Sequence, residues 1–375
     1  MPECNMRISD TRFLLAWLLP SLTLLGLGFS PHYSAAWTLA IWWGIAAVDT
    51  VVPGAQSSPA ALPETTRLGY FRWVLRLFVP LQWALIAFGA YAASQADWLV
   101  VVGMAFSVGF ISGSQGITFA HELGHSKSKL DRVCAWMLMT SVCYGHFMVE
   151  HYRGHHPRAA TFEDPASARY GESLYRFLPR SLWGSLVSGW KLEAQRLTQM
   201  KKSWVRSPLL WSTLGSVAMV LSGGFMPFLG TFMGSGNVDI AQAAIKIIAF
   251  LLLQSVFAFS LLEMVNYIEH YGLSRNAGAG NTAAGKKEAF GMMHAWNADH
   301  VATNSLLANL QRHSDHHMHA WKSYPTLEPL PGPQLPTGYA GCILLAMFPP
   351  LWFKLMHRRL AQLQVTGATS SPLTT

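Results

Sequence analysis

Six apolar runs alternate with polar segments along the chain. An apolar run of about 20 residues is long enough to cross a bilayer as an α-helix. The pattern therefore predicts an all-α integral membrane protein with six transmembrane helices, at residues 13–30, 35–52, 77–94, 98–120, 209–233 and 241–265.

Two polar segments are long. Residues 121–207 separate the fourth run from the fifth, and residues 266–338 follow the sixth. A shorter apolar piece, residues 339–353, carries Pro349-Pro350, and proline interrupts a helix. We expect an interfacial or core-docked segment there, with a seventh span as the alternative. The Ser/Thr-rich tail, residues 365–375, is expected to be disordered. Because no internal repeat is visible, we expect a single domain over residues 1–375.

Composition supports a membrane protein. Of the 375 residues, 51% are hydrophobic and only 12% are charged, whereas soluble domains carry roughly 25% charged residues. Lys and Arg are absent from the short turns at 31–34, 95–97 and 234–240 and accumulate in both polar segments. Positively charged segments stay in the cytoplasm, so the polar segments are predicted to form a cytoplasmic cap.

Two other classes are disfavoured. The four cysteines, Cys4, Cys134, Cys143 and Cys342, form no C-x-x-C pair, which argues against a zinc ribbon, an iron–sulfur cluster or a fused rubredoxin-like site. The net charge of +8 is not interleaved with base-stacking aromatics, so we expect no nucleic-acid partner.

Histidines are concentrated in the predicted cap. His313, His316 and His317 are spaced i, i+3 and i+4, which places them on one face of a helix. Imidazole is the commonest nitrogen ligand of transition metals. Further candidates lie in HELGH, in HYRGHH and after the sixth span: His121, His125, His151, His155, His156 and His270. These are too many for one metal and indicate two.

The string HELGH also matches the zinc-protease pattern H-E-x-x-H. A membrane metalloprotease would need one further ligand and would leave six histidines unexplained. The lack of thiolate ligands disfavours structural zinc, and nitrogen-rich sites with open positions suit iron that activates dioxygen. Beneath a membrane bundle, such a site suggests oxidation of a substrate dissolved in the bilayer.

Longer strings carry a family resemblance. They are HELGH, YGHFMVEHYRGHHPRAATFEDPASARYGES, NYIEHYGL, HAWNADH, LQRHSDHH and LPTGYAG. The chain resembles the integral-membrane alkane hydroxylases (alkane 1-monooxygenases), relatives of xylene monooxygenase and the membrane fatty acid desaturases. Three residues separate the first histidine of the second cluster from its pair, where desaturases typically have two, which favours a hydroxylase.

The resemblance implies nine iron-ligating histidines and two non-haem Fe ions, with O2 as co-substrate. The matching positions are His121, His125, His151, His155, His156, His270, His313, His316 and His317. It implies terminal hydroxylation of alkanes to primary alcohols in the bacterial cytoplasmic membrane, with the active site on the cytoplasmic side. It also implies electrons from a separate rubredoxin that is reduced by an NAD(P)H-dependent rubredoxin reductase. The alternatives are hydroxylation of an alkyl-aromatic or terpene, acyl-chain desaturation and, remotely, the zinc protease.

Other residues are candidates for supporting roles. Carboxylates orient metal-bound imidazoles, and the candidates here are Asp49, Glu122, Glu150, Asp164, Glu269, Asp299 and Asp315. Four histidines are reserve ligands or hydrogen-bonded neighbours: His146, His294, His300 and His319. Trp42 and Trp43 either close a substrate channel or face lipid.

Overall fold

The computed structural model describes residues 8–52, 54, 65–232, 239–276 and 288–365. The regular elements of these residues are helices, and an isolated β-bridge joins Asn297 to Gln334. The all-α class is therefore confirmed. The α-helices are α1 (Leu18–Phe29), α2 (Ser34–Val51), α3 (Thr65–Arg76), α4 (Phe78–Gln95), α5 (Trp98–Ile111), α6 (Ile117–His125), α7 (Lys129–Ser141), α8 (Phe147–Glu150), α9 (His156–Arg158), α10 (Leu174–Gln199), α11 (Pro208–Phe232), α12 (Ile240–His270), α13 (Val301–Leu306), α14 (His313–Met318), α15 (Tyr339–Ala346) and α16 (Pro349–Val365).

The chain is a multi-pass membrane protein. Five helical runs of the described residues are long and apolar enough to cross a bilayer: Asp10–Phe29, Gly69–Gln95, Trp98–His125, Pro208–Pro227 and Ile240–His270. The pair α15 and α16, bent by 120°, adds at most one more. Helix α2, the predicted second span, is not among the five because its tryptophans and Asp49 lower its mean hydropathy. The count of six and the cytoplasmic cap stay predictions.

Two helices continue beyond the ends of the predicted spans. The helices end at His125 and His270 rather than at Ala120 and Val265, because backbone hydrogen bonding continues where the side chains become polar. Pro349 and Pro350 begin α16, since the first turn of a helix needs no proline N–H. The predicted tail from 366 onward and the turn at 233–238 lie outside the described residues.

The described residues group into two compact units that interleave along the chain. The first comprises those within positions 1–42, 65–145 and 197–261. In it, Gly109 and Gly113 allow close approach to α12. A Cβ on Gly109 would lie 2.6 Å from the carbonyl oxygen of Gln254, and one on Gly113 would lie 2.5 Å from that of Ala258. Small residues permit such helix contacts in membrane proteins.

Buried amide side chains also link the helices of the first unit. Gln82 Nε2 donates to Ser141 Oγ at 2.7 Å, and Gln254 Nε2 donates to the Ser141 carbonyl at 2.9 Å. Gln115 Nε2 donates to the carbonyl of Ala16 at 2.8 Å. Interhelical hydrogen bonds of this kind stabilise membrane bundles.

The second unit comprises the described residues within positions 43–64, 146–196 and 262–375. Its core is aromatic, and its largest fully buried side chains include Tyr267, Trp296, Trp352 and Tyr339. Seven of the nine predicted ligand histidines belong to this unit. The expectation of a single domain stays a prediction.

Candidate metal centre

Four buried histidines of the second unit converge. They are His155, His270, His313 and His317, and their nitrogens lie within 4.8 Å of one another. His155 Nε2 is 3.3 Å from His317 Nε2, and His270 Nε2 is 3.2 Å from His313 Nε2. Helix α14 contributes two of the four, and the last residue of α12 contributes a third.

A second group in the same unit contains His151, His156 and His316. Their nitrogens also lie within 4.8 Å of one another, and His151 Nε2 is 3.0 Å from His156 Nε2. The rings of His156 and His316 have centroids 5.2 Å apart. The unit therefore carries two neighbouring histidine groups that could hold metal ions.

A π-helical turn, His151–His155, creates the division between the groups. Because a π-turn hydrogen-bonds residue i to residue i+5, His151 pairs with His156. His155 instead joins the four-histidine group. All three histidines of the string HYRGHH therefore lie in the candidate centre.

The donor sets fit metal ions. Two imidazole nitrogens that share a metal at bond lengths of about 2.0–2.1 Å, at tetrahedral or right angles, lie about 2.8–3.4 Å apart. The three Nε2–Nε2 distances, 3.0, 3.2 and 3.3 Å, fall in this range. Two converging imidazoles can share one proton at most, whereas a metal ion satisfies both lone pairs.

Protonation also favours metal binding. Burial and the neighbouring His155 lower the pKa of His156 to about 3. Burial and the surrounding histidines lower the pKa of His317 well below its ordinary value. Both rings are therefore neutral near pH 7, with a lone pair available to a metal.

Asp164 holds the proton of His155. Its Oδ2 lies 2.9 Å from His155 Nδ1, and Ser167 Oγ donates to the same oxygen at 2.6 Å. Burial alone would raise the pKa of Asp164, but His155 and Ser167 bring it to about 2. With its proton on Nδ1, His155 presents Nε2 to the four-histidine group, in the manner of metal-bound imidazoles.

Glu269 lies beside His313 in a similar position, with an ion-pair distance of 3.3 Å between Oε1 and Nδ1. The sequence did not single out Tyr339, whose hydroxyl donates to the same Oε1 at 2.7 Å. Tyr339 lies in the string LPTGYAG, but no polar periodicity marks it as part of a site.

Other candidate carboxylates bond elsewhere. Arg158 Nη2 donates to Glu150 Oε1 at 2.8 Å, and Arg312 Nη2 donates to Asp299 Oδ1 at 2.7 Å. The further contacts are those of Asp49 with Thr303, and of Asp315 with His319, Lys322 and the backbone N–H of Glu328. Glu122 is half-buried on α6.

His121 and His125 belong to the first unit. They lie one turn apart on α6, with ring centroids 5.0 Å apart and perpendicular planes. The predicted i, i+4 alignment on one helix is therefore present. Of the reserve ligands, His294 accepts the Gly291 N–H through Nδ1, and His319 Nδ1 is 2.7 Å from Asp315 Oδ1. His146 is buried, whereas His300 is half-buried.

The two candidate channel tryptophans differ in environment. Trp42 is 6% exposed and Trp43 is 58% exposed. Trp42 packs on Phe110 of α5, with ring centroids 5.3 Å apart. Trp42 is therefore the one that faces the helix bundle.

This fold and these histidine groups define a class of membrane protein. The family model described as fatty acid desaturase matches residues 96–345, two thirds of the chain. That region includes all nine histidines named above.

Comparison with curated relatives identifies the family within this class. Alkane 1-monooxygenase 2 of Pseudomonas aeruginosa is 37% identical, over 86% of this chain and 84% of the relative. Alkane 1-monooxygenase of Acinetobacter baylyi is 33% identical, over 95% of this chain and 86% of the relative. The xylene/toluene monooxygenase hydroxylase component of Pseudomonas putida is 28% identical, over 91% of this chain and 87% of the relative. The chain belongs to the alkane 1-monooxygenase family, and the zinc-protease alternative is set aside.

Proposed function

We propose that this protein hydroxylates the terminal carbon of alkanes, using O2 at a pair of non-haem irons. The observation that carries the proposal is the four-histidine group His155, His270, His313 and His317, with Asp164 and Glu269 on two of its outer nitrogens. Relatives named alkane 1-monooxygenase support the substrate class.

One iron is assigned to that group, and the other to His151, His156 and His316. We propose that His121 and His125 complete the second set, because the family resemblance includes them. The irons would supply binding and activation of dioxygen. The chain supplies neutral imidazoles at His156 and His317, and Asp164 and Glu269 face the outer nitrogens of His155 and His313.

The electron donor is proposed to be rubredoxin, reduced by an NAD(P)H-dependent rubredoxin reductase. The absence of a C-x-x-C pair from the sequence agrees with a donor on a separate chain. The membrane is proposed to be the bacterial cytoplasmic membrane, with the histidine groups on its cytoplasmic side. The support is the absence of Lys and Arg from the short turns.

The test combines metal and product analysis. The protein, purified in detergent, should contain about two irons, because nine imidazoles exceed the roughly four to six positions that one metal offers. In membranes supplied with rubredoxin, its reductase, NADH and a mixture of hydrocarbons under 18O2, linear alkanes should give labelled primary alcohols. A single stoichiometric zinc would overturn the metal assignment.

Two other products would redirect the assignment. An unlabelled double bond in an acyl chain would indicate a desaturase, which is how the matching family model is described. Labelled benzylic alcohols in preference to alkanols would indicate an alkyl-aromatic substrate, which the xylene/toluene relative makes a specific alternative. The hydrocarbon mixture should therefore contain alkylbenzenes as well as linear alkanes.

A further inference from the structure

Three side chains of the second unit form a line of close polar contacts that ends at a candidate ligand. The hydroxyl of Tyr339 is 2.7 Å from Glu269 Oε1, and the same oxygen is 3.3 Å from His313 Nδ1. The other ring nitrogen of His313, Nε2, is 3.2 Å from His270 Nε2. Glu269 thus lies between a tyrosine and the ring nitrogen that faces away from the candidate metal position.

All three side chains are buried, with relative exposures of 1% for Tyr339, 2% for Glu269 and 2% for His313. A buried carboxylate is costly unless donors surround it. The Tyr339 hydroxyl also lies 3.5 Å from the carbonyl of Leu310, but hydrogen bonds weaken at that length. The tyrosine proton therefore belongs to Glu269.

We propose that Tyr339 is a positioning residue of the metal centre, because its hydroxyl holds Glu269 where Glu269 receives the Nδ1 proton of His313. This inference rests on the proposed metal site, and Tyr339 itself touches neither metal nor substrate. The tyrosine hydrogen bond withdraws electron density from Oε1 and limits how basic the His313 imidazole becomes. Tyr339 therefore affects both the orientation of the His313 ring and the strength with which that ring binds a metal.

Tyr339 is itself held in place from two sides. Its backbone N–H donates to Gln311 Oε1 at 3.0 Å. The preceding Gly338 lies so close to Asp49 that a Cβ there would be 2.1 Å from Oδ2, and Asp49 Oδ1 accepts the Thr303 N–H at 3.2 Å. These contacts fix the start of α15, which gives Asp49 an indirect role in the centre.

Tyr339→Phe removes one hydroxyl and keeps the aromatic ring. Loss of a hydrogen-bond partner in the outer shell of a metal site typically costs 10–100-fold in metal affinity. The matched control is Tyr267→Phe. Tyr267 is equally buried and lies on the same helix as Glu269, but its hydroxyl donates to the carbonyl of Glu172 at 2.8 Å.

The experiment measures metal binding without turnover. Purified protein is depleted of metal with a chelator and titrated with Co2+, and the visible absorption of the bound ion is followed. We expect Tyr339→Phe to weaken the binding of one of two ions by about 10–100-fold and to shift its absorption bands. Tyr267→Phe should bind and absorb like the wild type.

A second variant separates positioning from folding. Glu269→Gln keeps the acceptor oxygen and removes its charge, so it should weaken the same ion. In the Glu269→Gln background, Tyr339→Phe should add less than it does alone, because coupled residues are not additive. Full additivity, or unchanged Co2+ binding in either single variant, would overturn the role of Tyr339. If Tyr339→Phe does not fold, unchanged Co2+ binding in Glu269→Gln would still overturn the role of Tyr339.

Failure of this inference differs from failure of the proposed function. If the wild-type protein binds two ions and yields labelled alkanols while Tyr339→Phe binds like the wild type, only the inference fails. If the wild-type protein binds no ion in the four-histidine group, the metal site on which it rests fails as well.

Discussion

His151 Nε2 lies 3.0 Å from His156 Nε2, although five positions separate the two residues in the chain. An α-helix would place residues i and i+4 together instead. The π-turn His151–His155 makes this pairing possible, and π-turns occur frequently at functional sites. The intervening His155 is thereby released to the other histidine group.

The division into two groups predicts partial metal loss. His156→Ala and His317→Ala should each remove about one of the two irons per chain and abolish turnover, because each variant deletes a ligand from a different group. His319→Ala is the control, since His319 is 37% exposed and bonds Asp315. The measurement is iron content by elemental analysis of the purified proteins. Equal iron loss in all three variants would contradict the ligand assignment.

Replacing Asp164 should lower metal affinity more than replacing Asp299. Asp164→Asn should lower metal affinity by about 10–100-fold, because the amide keeps an acceptor oxygen but lacks the negative charge that strengthens the hydrogen bond to His155. Asp299→Asn is the matched control, since Asp299 pairs with Arg312. The two proteins are compared by chelator competition for bound iron. An Asp299→Asn loss as large as that of Asp164→Asn would assign the effect to general stability.

His146, which is not a candidate ligand in either group, should contribute to the pH dependence of the free energy of unfolding. Burial lowers the pKa of His146 from 6.5 to about 4. Between these values the unfolded chain binds a proton that the folded chain does not. The contribution of neutral His146 to the free energy of unfolding is therefore fully present above pH 6.5. It is lost as the pH falls toward 4, by at most about 1.4 kcal/mol per pH unit.

His146→Gln should remove the part of the pH dependence that is due to His146. The thermal unfolding midpoint of the wild type in detergent should fall more steeply between pH 6.5 and 5 than that of the variant. His319→Gln, a change at a more exposed histidine, should keep the wild-type slope. Parallel curves for the wild type and His146→Gln would show that His146 is protonated in the folded protein.

The sequence indicated which histidines cluster better than it indicated how they are arranged. His313, His316 and His317 do lie on one short helix, α14. Consecutive helical residues point about 100° apart, since 3.6 residues make a turn, so His316 and His317 join different groups. That division depends on contacts with α12 and with the π-turn, which neither spacing nor hydropathy encodes.

Hydropathy likewise located the apolar runs but not the helix ends. His125 and His270 each complete a helix whose apolar run stops earlier, so these two candidate ligands lie on helical extensions of the candidate spans. The contribution of Tyr339 was not predictable, because 70 residues separate it from Glu269. Only the folded chain brings this tyrosine and carboxylate together.

Membrane orientation is a further prediction. A reporter fused after Thr375 should be active in the cytoplasm, and one inserted near Gly236 should be active outside, because Lys and Arg are absent from the short turns. Both positions lie outside the described residues. An alkaline phosphatase and green fluorescent protein pair reports the two sides. A cytoplasmic signal at Gly236 would overturn the predicted count of six spans.

The last prediction concerns the length of the substrate. An alkane has no polar group, so the shape of an apolar channel must select it. Trp42 is buried against Phe110. Thr38, one turn earlier on α2, lines a cavity of about 400 Å³ that Leu22, Ser34, Ile41 and Ser107 also border. If Trp42 closes the channel, its removal opens space toward this cavity.

Trp42→Ser should therefore shift preference toward longer alkanes, and short alkanes should lose their register. Each additional buried methylene contributes roughly 0.8 kcal/mol, so the preference should change clearly over a few carbons. Trp43→Ser is the matched control, because Trp43 is 58% exposed and its loss leaves the buried side of the helix unchanged. The assay is competition among alkanes of graded length in membranes that contain the donor pair. An unchanged length profile in Trp42→Ser would assign Trp42 to helix packing and place the end of the channel elsewhere.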